Sequence, residues 1–177
     1  MPSDLTIIRY PDPRLRKMSE SVTQFNAELR DLALRMIELM KEARGVGLAA
    51  PQVGQNIRLF VMNPTGEDDA VRIYVNPVLS EPDGEEEGEE GCLSLPNITA
   101  KVWRSKLLHL KAQDLEGNPI EESADGYIAR IWQHETDHLN GVMLIDRMGF
   151  TARMANRKKL RELEEEYAET HPVKKKK

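Results

Sequence analysis

The sequence predicts an α+β fold in which short, mostly antiparallel strands pack around a central helix, and a charged helix ends the chain. Two segments with helical periodicity, residues 26–43 and 125–141, are separated by a run of short strand-like segments instead of alternating with them. The length of 177 residues fits one domain. We therefore expect a single domain over residues 1–170 and a flexible lysine-rich tail over residues 171–177.

The first helix is predicted by apolar residues that recur every three or four positions. These residues are Leu29, Leu32, Ala33, Met36, Ile37 and Met40. Asn26 lies in the N-cap position, where its side chain can accept a backbone hydrogen bond. Gly45 follows the last turn, where helices commonly end.

The segments that follow predict strands and turns. IRLFVM and VRIYVNPVL are typical of strands, and GEDDA between them is typical of a turn. The acidic, glycine-containing segment Glu81–Gly91 predicts an exposed loop. SKLLHLKAQD and NPIEESA predict a hairpin that turns at Glu116–Asn118.

Two further helices complete the predicted fold. DGYIARIWQHETDHLNG has Asp125 near its N-cap and Gly141 at its end. TARMANRKKLRELEEEYAET predicts one charged C-terminal helix with a thin apolar face.

Composition and charge exclude several classes of protein. The net charge of −5 argues against bulk or sequence-specific nucleic-acid binding, although residues 151–177 carry a local excess of cations. No apolar run approaches the length of a membrane span, and the N-terminus lacks a secretory pattern. The single cysteine, Cys92, excludes an internal disulfide and fits a reducing compartment. We expect a cytoplasmic protein with no membrane partner.

The motif HETDH places His134 and His138 four residues apart on the central helix. Residues at this spacing lie one turn above each other, so both imidazoles can reach one metal ion. Glu135 is rotated about 100° from His134 and can act as a general base on the open side of the metal. If His134 and His138 were only packed in the core, their four-residue spacing and the adjacent Glu135 would have no explanation. The central helix is therefore predicted to bind a metal.

A catalytic site of this kind needs a third ligand. One large family of metal-binding proteins takes its third ligand from a histidine six residues after the second, but this position is Leu144 here. Another takes it from a glutamate on a following helix, and nothing marks out a glutamate such as Glu162 for that role. Cys92 is the better third ligand, because a dication would deprotonate its thiol despite the five glutamates in the ten residues before it. A zinc peptidase and a structural metal module with a fourth ligand are the alternatives.

Three motifs, taken together and in order, resemble the peptide deformylase family. They are GVGLAAPQ (45–52), EGCLS (90–94) and QHETDHLNG (133–141), and the similarity runs from about residue 7 to 148. GVGLAA also matches a dinucleotide-binding fingerprint formally. It follows a predicted helix instead of a strand, so that interpretation is rejected.

The resemblance implies hydrolysis of the N-formyl group from N-formylmethionyl peptides, with release of formate. Cys92, His134 and His138 would bind one divalent metal, Fe²⁺ in many members, with Zn²⁺, Ni²⁺ or Co²⁺ as alternatives. A metal-bound hydroxide would be the nucleophile, and Glu135 the general base and acid. The Gln52 side chain and the Leu93 N–H would form an oxyanion hole.

The resemblance also implies where the substrate lies. Gly45, Val46 and Gly47 would pair with the extended peptide. The methionine pocket would be lined by Val46, Tyr127, Ile131 and His134. Glu90 is expected to hold the Cys92 loop by local hydrogen bonds, and Arg104 to steer peptide carbonyls. In some members a C-terminal helix contacts the ribosome, so the helix and lysine tail of residues 151–177 are a candidate for that contact.

Overall fold

A computed structural model describes residues 4–172 and contains one five-stranded antiparallel sheet in the order β1-β2-β3-β4-β5. The strands are β1 (Gly47–Ala49), β2 (Leu59–Met62), β3 (Arg72–Cys92), β4 (Leu95–Gln113) and β5 (Pro119–Asp125). The helices are α1 (Ala27–Glu42), α2 (Gly126–Leu139), α3 (Leu144–Arg147), α4 (Phe150–Ala155) and α5 (Arg157–Thr170). This architecture confirms the α+β prediction, with α2 as the central helix.

The strand β2 shows how the core is divided between α1 and α2. Successive strand residues face opposite sides of a sheet. Leu59 and Val61 pack with the apolar stripe of α1, whereas Phe60 and Met62 pack with Trp132 and its neighbours on α2. The helix that carries the HETDH motif is thus held against a fully buried sheet face.

The first helix begins and ends as predicted, with Gly45 just past its last turn. The Asn26 side chain accepts a hydrogen bond from the backbone N–H of Leu29 at 3.0 Å. At the other end Arg44 adopts the left-handed conformation, with φ of 55°. The Gly45 and Arg44 N–H groups donate to Met40 and Lys41 carbonyls, the pattern that closes many helices.

The predicted loop over Glu81–Gly91 is wrong. This segment is part of β3 and pairs with β4, for example Glu86 with Arg104 and Glu89 with Lys101. Its side chains are mostly exposed, as expected, but its backbone pairs with β4 in one register from Asp83 to Gly91. Composition did not reveal this strand because the cross-strand cations that favour it lie far away in sequence. The hairpin at Glu116–Asn118 forms as predicted between β4 and β5.

The predicted C-terminal helix is interrupted at Asn156. Its buried side-chain amide donates to the carbonyls of Thr99 and Ala152, which separates α4 from α5. Leu160 and Leu163 of α5 pack against β4 and α3. The end of the predicted tail, residues 173–177, lies outside the described residues. In residues 4–172 no helix has the length and apolar character needed to cross a membrane.

Candidate active site and metal centre

Cys92 lies at the tip of the long hairpin formed by β3 and β4. It pairs with Leu95, so Leu93 and Ser94 form the two-residue turn between the strands. A register shift between Gly91 and Cys92 interrupts the ladder at this point. Such irregularities re-aim side chains at sheet ends. The hairpin tip thereby brings Cys92 to the face of α2.

Cys92, His134 and His138 form one compact group. Their ligand atoms all lie within 4.8 Å of one another. The Cys92 Sγ lies 3.4 Å from His138 Nε2, and the two imidazole rings have centroids 5.1 Å apart. His138 is 1% exposed, so the group is shielded from bulk solvent on the α2 side.

Glu90 orients His134. The His134 Nδ1 lies 2.8 Å from Glu90 Oε1, which leaves Nε2 to face the group. The expectation of local hydrogen bonds within the Cys92 loop is therefore wrong for this side chain, because its partners lie on α2 and β4. Burial alone would raise the pKa of the Glu90 carboxyl, but hydrogen bonds from His134 and Arg104 lower it to about 2.

Arg104 belongs to this buried network and not to the substrate surface, so its predicted contact with peptide carbonyls is wrong. It is 6% exposed and donates twice to Glu90, at 3.0 and 2.9 Å. It also donates to Asp137 at 2.6 Å, and Asp137 accepts two hydrogen bonds from Arg147. Asp137 precedes His138 on α2, so the network holds both ends of the histidine pair.

Arg130 completes the network one turn before His134. Its guanidinium donates to Glu90 at 2.7 Å and to the backbone carbonyl of Glu86 at 2.8 Å. Gly88 makes room for it, since a Cβ there would lie 2.8 Å from the guanidinium carbon. The contacts of Arg130 and Arg104 could not be inferred from local sequence spacing. Their hydrogen-bond partners lie 14 to 44 residues away in the sequence.

Glu135 is buried beside the Cys/His group. It is 3% exposed, and burial raises the pKa of its carboxyl to about 7. Its Oε2 has no hydrogen-bond partner among the described residues. The β1 backbone passes closely, and a Cβ on Gly47 would lie 2.3 Å from Glu135 Oε1. Only glycine leaves space for this carboxylate.

The Gln52 side chain is held in one orientation. Its Oε1 accepts from the Ala49 N–H at 2.9 Å, so its Nε2 must face the hairpin tip. There it donates to Ser94 Oγ at 3.1 Å and lies 3.6 Å from Cys92 Sγ. Ser94 was not predicted as a site residue, although its place in EGCLS, two residues after Cys92, marked it as a candidate.

A cavity of about 570 Å³ opens onto this group. Most residues predicted to act in catalysis or binding line it: Gly45, Val46, Gly47, Gln52, Glu90, Cys92, Leu93, Tyr127, Ile131, His134 and Glu135. Tyr127 is 53% exposed and Val46 is 39% exposed, so both lie towards its mouth. The predicted substrate residues and the predicted catalytic residues therefore share one cavity.

The donor set fits a divalent metal ion. One sulfur and two imidazole nitrogens suit Zn²⁺ and Fe²⁺ and leave one coordination position for solvent or substrate. The unpartnered Glu135 Oε2 beside it is the type of group that acts on a proton of a bound water. A helix that carries these residues and packs against an antiparallel sheet is typical of metal-dependent hydrolases.

Comparison with known proteins identifies which hydrolase family this is. The sequence model of the polypeptide deformylase family matches residues 4–154. The peptide deformylase of Thermotoga maritima is 47% identical over 155 residues, which are 87% of this chain and 93% of that protein. The one from Chromobacterium violaceum is 44% identical over 162 residues, 92% of this chain and 97% of that protein. A crystal structure of peptide deformylase from Plasmodium falciparum matches with a TM-score of 0.92 at 38% identity, covering 95% of this chain and 100% of that chain.

The chain belongs to the peptide deformylase family. Its enzymatic activity is removal of the N-formyl group from nascent peptides, and enzymes of this family are metalloenzymes.

Proposed function

We propose that this chain hydrolyses N-formylmethionyl peptides with Glu135 as general base and acid and with Gln52 and the Leu93 N–H as oxyanion donors. The observation that carries the proposal is their convergence. The buried carboxylate of Glu135, the fixed amide of Gln52 and the Cys/His/His group line or adjoin one cavity.

The edge strand β1 is suited to bind the peptide backbone. The Val46 carbonyl accepts from the Asn63 N–H of the segment that follows β2, at 2.8 Å. Because backbone groups alternate along a strand, those of Gly47 point to the opposite, open edge. An extended peptide can add there as a further strand, and the glycines let its backbone approach closely.

Glu135 moves the protons of the reaction. It accepts a proton from the attacking water and later delivers it to the amine as the C–N bond breaks, yielding formate and a free N-terminus. Its burial keeps the carboxyl pKa near 7, which suits both steps. When bound, a divalent cation supplies Lewis-acid chemistry that lowers the pKa of water and polarises the formyl carbonyl.

Gln52 and Leu93 stabilise the charge that develops on the formyl oxygen. The Ala49 and Ser94 contacts fix the Gln52 amide before substrate arrives, so little reorganisation is needed in the transition state. The Leu93 N–H belongs to the hairpin turn directly after Cys92. Removing one such donor typically costs about 10²–10³ in kcat.

We infer that Cys92, His134 and His138 hold Fe²⁺ physiologically, with Zn²⁺, Ni²⁺ or Co²⁺ able to replace it. Intrinsic affinity favours zinc over iron, so the metal found depends on supply as well as on the ligands. Metal analysis of protein purified without oxygen tests this assignment. Zinc in place of iron under iron-replete expression would contradict it.

The experiment that tests the mechanism is formate release from formyl-Met-Ala-Ser by wild type, Glu135→Gln and Glu87→Gln. Glu87 is an exposed carboxylate on β3 and serves as the matched control. We expect Glu135→Gln to retain about one metal per chain and to lose activity, with Glu87→Gln unchanged. Full activity in Glu135→Gln would refute the role of the base. Cleavage of an internal peptide bond without formate release would favour the zinc-peptidase alternative.

We also infer a contact with the ribosome through the C-terminal region. Arg153, Arg157 and Arg161 follow one another at four-residue spacing and line a groove of about 510 Å³ with the exposed Phe150. Cations on one face suit phosphate contacts. Removing the helix would also expose the core that Leu160 and Leu163 cover, so a triple Arg→Glu variant is the better test. Unchanged ribosome co-sedimentation at low salt would contradict the inference.

A further inference from the structure

Two arginines flank the mouth of the catalytic cavity without an ionic partner in the described part of the chain. Arg9 and Arg44 both line the cavity and are exposed. Arginines at other surface positions are commonly paired here, as Arg14 is with Asp12 and Arg35 with Glu38. The mouth therefore presents two cationic groups that are free to meet a ligand.

The backbone of Arg44 is fixed at a defined distance from the reacting centre. Hydrogen bonds from Arg44 and Gly45 to the last turn of α1 hold it in the turn that precedes β1, with φ of 55°. Gly47 is the third residue after Arg44, and a Cβ on it would lie 2.3 Å from Glu135 Oε1. Since the chain rises by at most about 3.3 Å per residue, the backbone of Arg44 lies within roughly 10 Å of Gly47.

An extended peptide that pairs with this edge has the same rise per residue. With its formyl group at the Cys/His group and methionine beside Gly47, its third and fourth residues pass Arg44. Leu48 and Ala49, which follow Gly47 in β1, are fully buried. The peptide therefore has to run along β1 in the opposite direction, towards the end at which Arg44 lies.

Arg9 is fixed on a second wall of the cavity. Its neighbours Ile8 and Tyr10 donate backbone hydrogen bonds to the carbonyls of Gln52 and Ser94, at 2.8 and 3.0 Å. Ser94 also accepts the hydrogen bond from the Gln52 amide through its hydroxyl, at 3.1 Å. Arg9 is thus anchored beside the reacting centre, with its side chain exposed at the rim.

Carboxylates near the mouth do not cancel these charges. Among the described residues that line the cavity and are exposed, Glu89 is the one carboxylate, so Arg9 and Arg44 leave the rim with a net positive charge. Glu42, two residues before Arg44, accepts a hydrogen bond from Arg35. The mouth is therefore cationic in a chain whose net charge is −5.

We propose that Arg44 and Arg9 are specificity-determining residues that favour acidic side chains at the third and fourth positions of the formylated peptide. The inference rests on the proposed function. An exposed ion pair changes binding by roughly two- to fivefold, and the effect falls with salt. The expected selectivity is therefore moderate and dependent on ionic strength.

The test compares kcat/KM for formate release from three peptide amides: formyl-Met-Ala-Ser-Ser, formyl-Met-Ala-Glu-Glu and formyl-Met-Ala-Lys-Lys. C-terminal amides remove the terminal carboxylate as a confounding charge. We expect the metal-loaded wild type to prefer the Glu peptide over the Lys peptide by about fivefold or more at low salt. Arg44→Glu should reverse the preference and Arg44→Gln should reduce it, with the Ser peptide little changed. Arg9→Gln should reduce it independently.

Arg72→Glu, which changes an exposed arginine at the start of β3 that does not line the cavity, is the matched control and should keep the wild-type preference. If Arg44→Glu does not fold, Arg44→Gln decides the question. Equal kcat/KM for the Glu and Lys peptides, with the Ser peptide hydrolysed, would overturn the inference and leave the proposed function intact. A preference that Arg72→Glu also abolishes would overturn it as well. No formate from any of the peptides would reject the proposed function and the inference together.

Discussion

Replacing Glu90 with glutamine should destabilise the protein far more than an ordinary carboxylate substitution. The Glu90 carboxylate is buried and accepts four hydrogen bonds: two from Arg104, one from Arg130 and one from His134. Two of these reach each oxygen. Whichever way a glutamine amide is turned, its NH₂ group meets two N–H donors, and the negative charge between two arginines is lost.

The magnitude follows from the cost of breaking a buried ion pair, about 3–5 kcal/mol. Each kcal/mol lowers the Tm of a chain of this size by about 2–4 °C, so we expect a loss of roughly 6–20 °C. Metal affinity should fall about 10–100-fold, because His134 loses the acceptor that orients it.

The assay is thermal unfolding of metal-loaded protein followed by circular dichroism, with metal affinity measured by chelator competition. Glu87→Gln is the control, since it removes an exposed carboxylate from the same strand. Surface substitutions change stability by about 0.5 kcal/mol or less. A Tm for Glu90→Gln within about 2 °C of the control would refute the reasoning.

Three further predictions concern the catalytic cavity. Gly47→Ala should lower kcat sharply with little change in fold, because its Cβ would lie 2.3 Å from Glu135 Oε1, whereas Gly149→Ala, with no atom near its added Cβ, should retain activity. Steady-state kinetics measure both, and equal kcat values would contradict the steric argument. Ser94→Ala should lower kcat more than it raises KM, by less than the roughly 10²–10³ expected when the Gln52 donor itself is removed. A pure KM effect would exclude orientation of Gln52 as its role. Chelation should abolish formate release and lower the Tm, and added Zn²⁺ or Co²⁺ should restore both. Activity that survives complete metal removal, confirmed by elemental analysis, would refute the assignment of the Cys92 group.

Local sequence patterns predicted the helices well and the long hairpin poorly. Apolar periodicity located α1, and the spacing of His134 and His138 located α2, because both depend on residues within one or two turns. The acidic part of β3 was missed because its partners on β4 lie up to 24 residues away, as Leu107 does from Asp83. The break at Asn156 was missed for the same reason, since its buried amide bonds to Thr99.

The same distinction applies to the site. Residues within the three motifs converge on one cavity, as the resemblance implied. The surroundings of Glu90 could not be predicted, because Arg104 and Arg130 carry no local mark of burial. An arginine in a sequence is expected at the surface, and only the fold reveals that two of them are enclosed with two carboxylates.

The balance of buried charge explains why this enclosure suits a metal centre. Glu90 and Asp137 contribute two negative charges and the buried Arg104 and Arg130 two positive charges, while the half-exposed Arg147 adds a cation on the solvent side of Asp137. These side chains form ion pairs with one another, so they do not balance the charges of Cys92 and Glu135. A divalent cation would then be matched by the thiolate of Cys92 and the carboxylate of Glu135. The network can therefore fix His134 without competing for the cation, and removal of any one of its charges should disturb metal binding as well as folding.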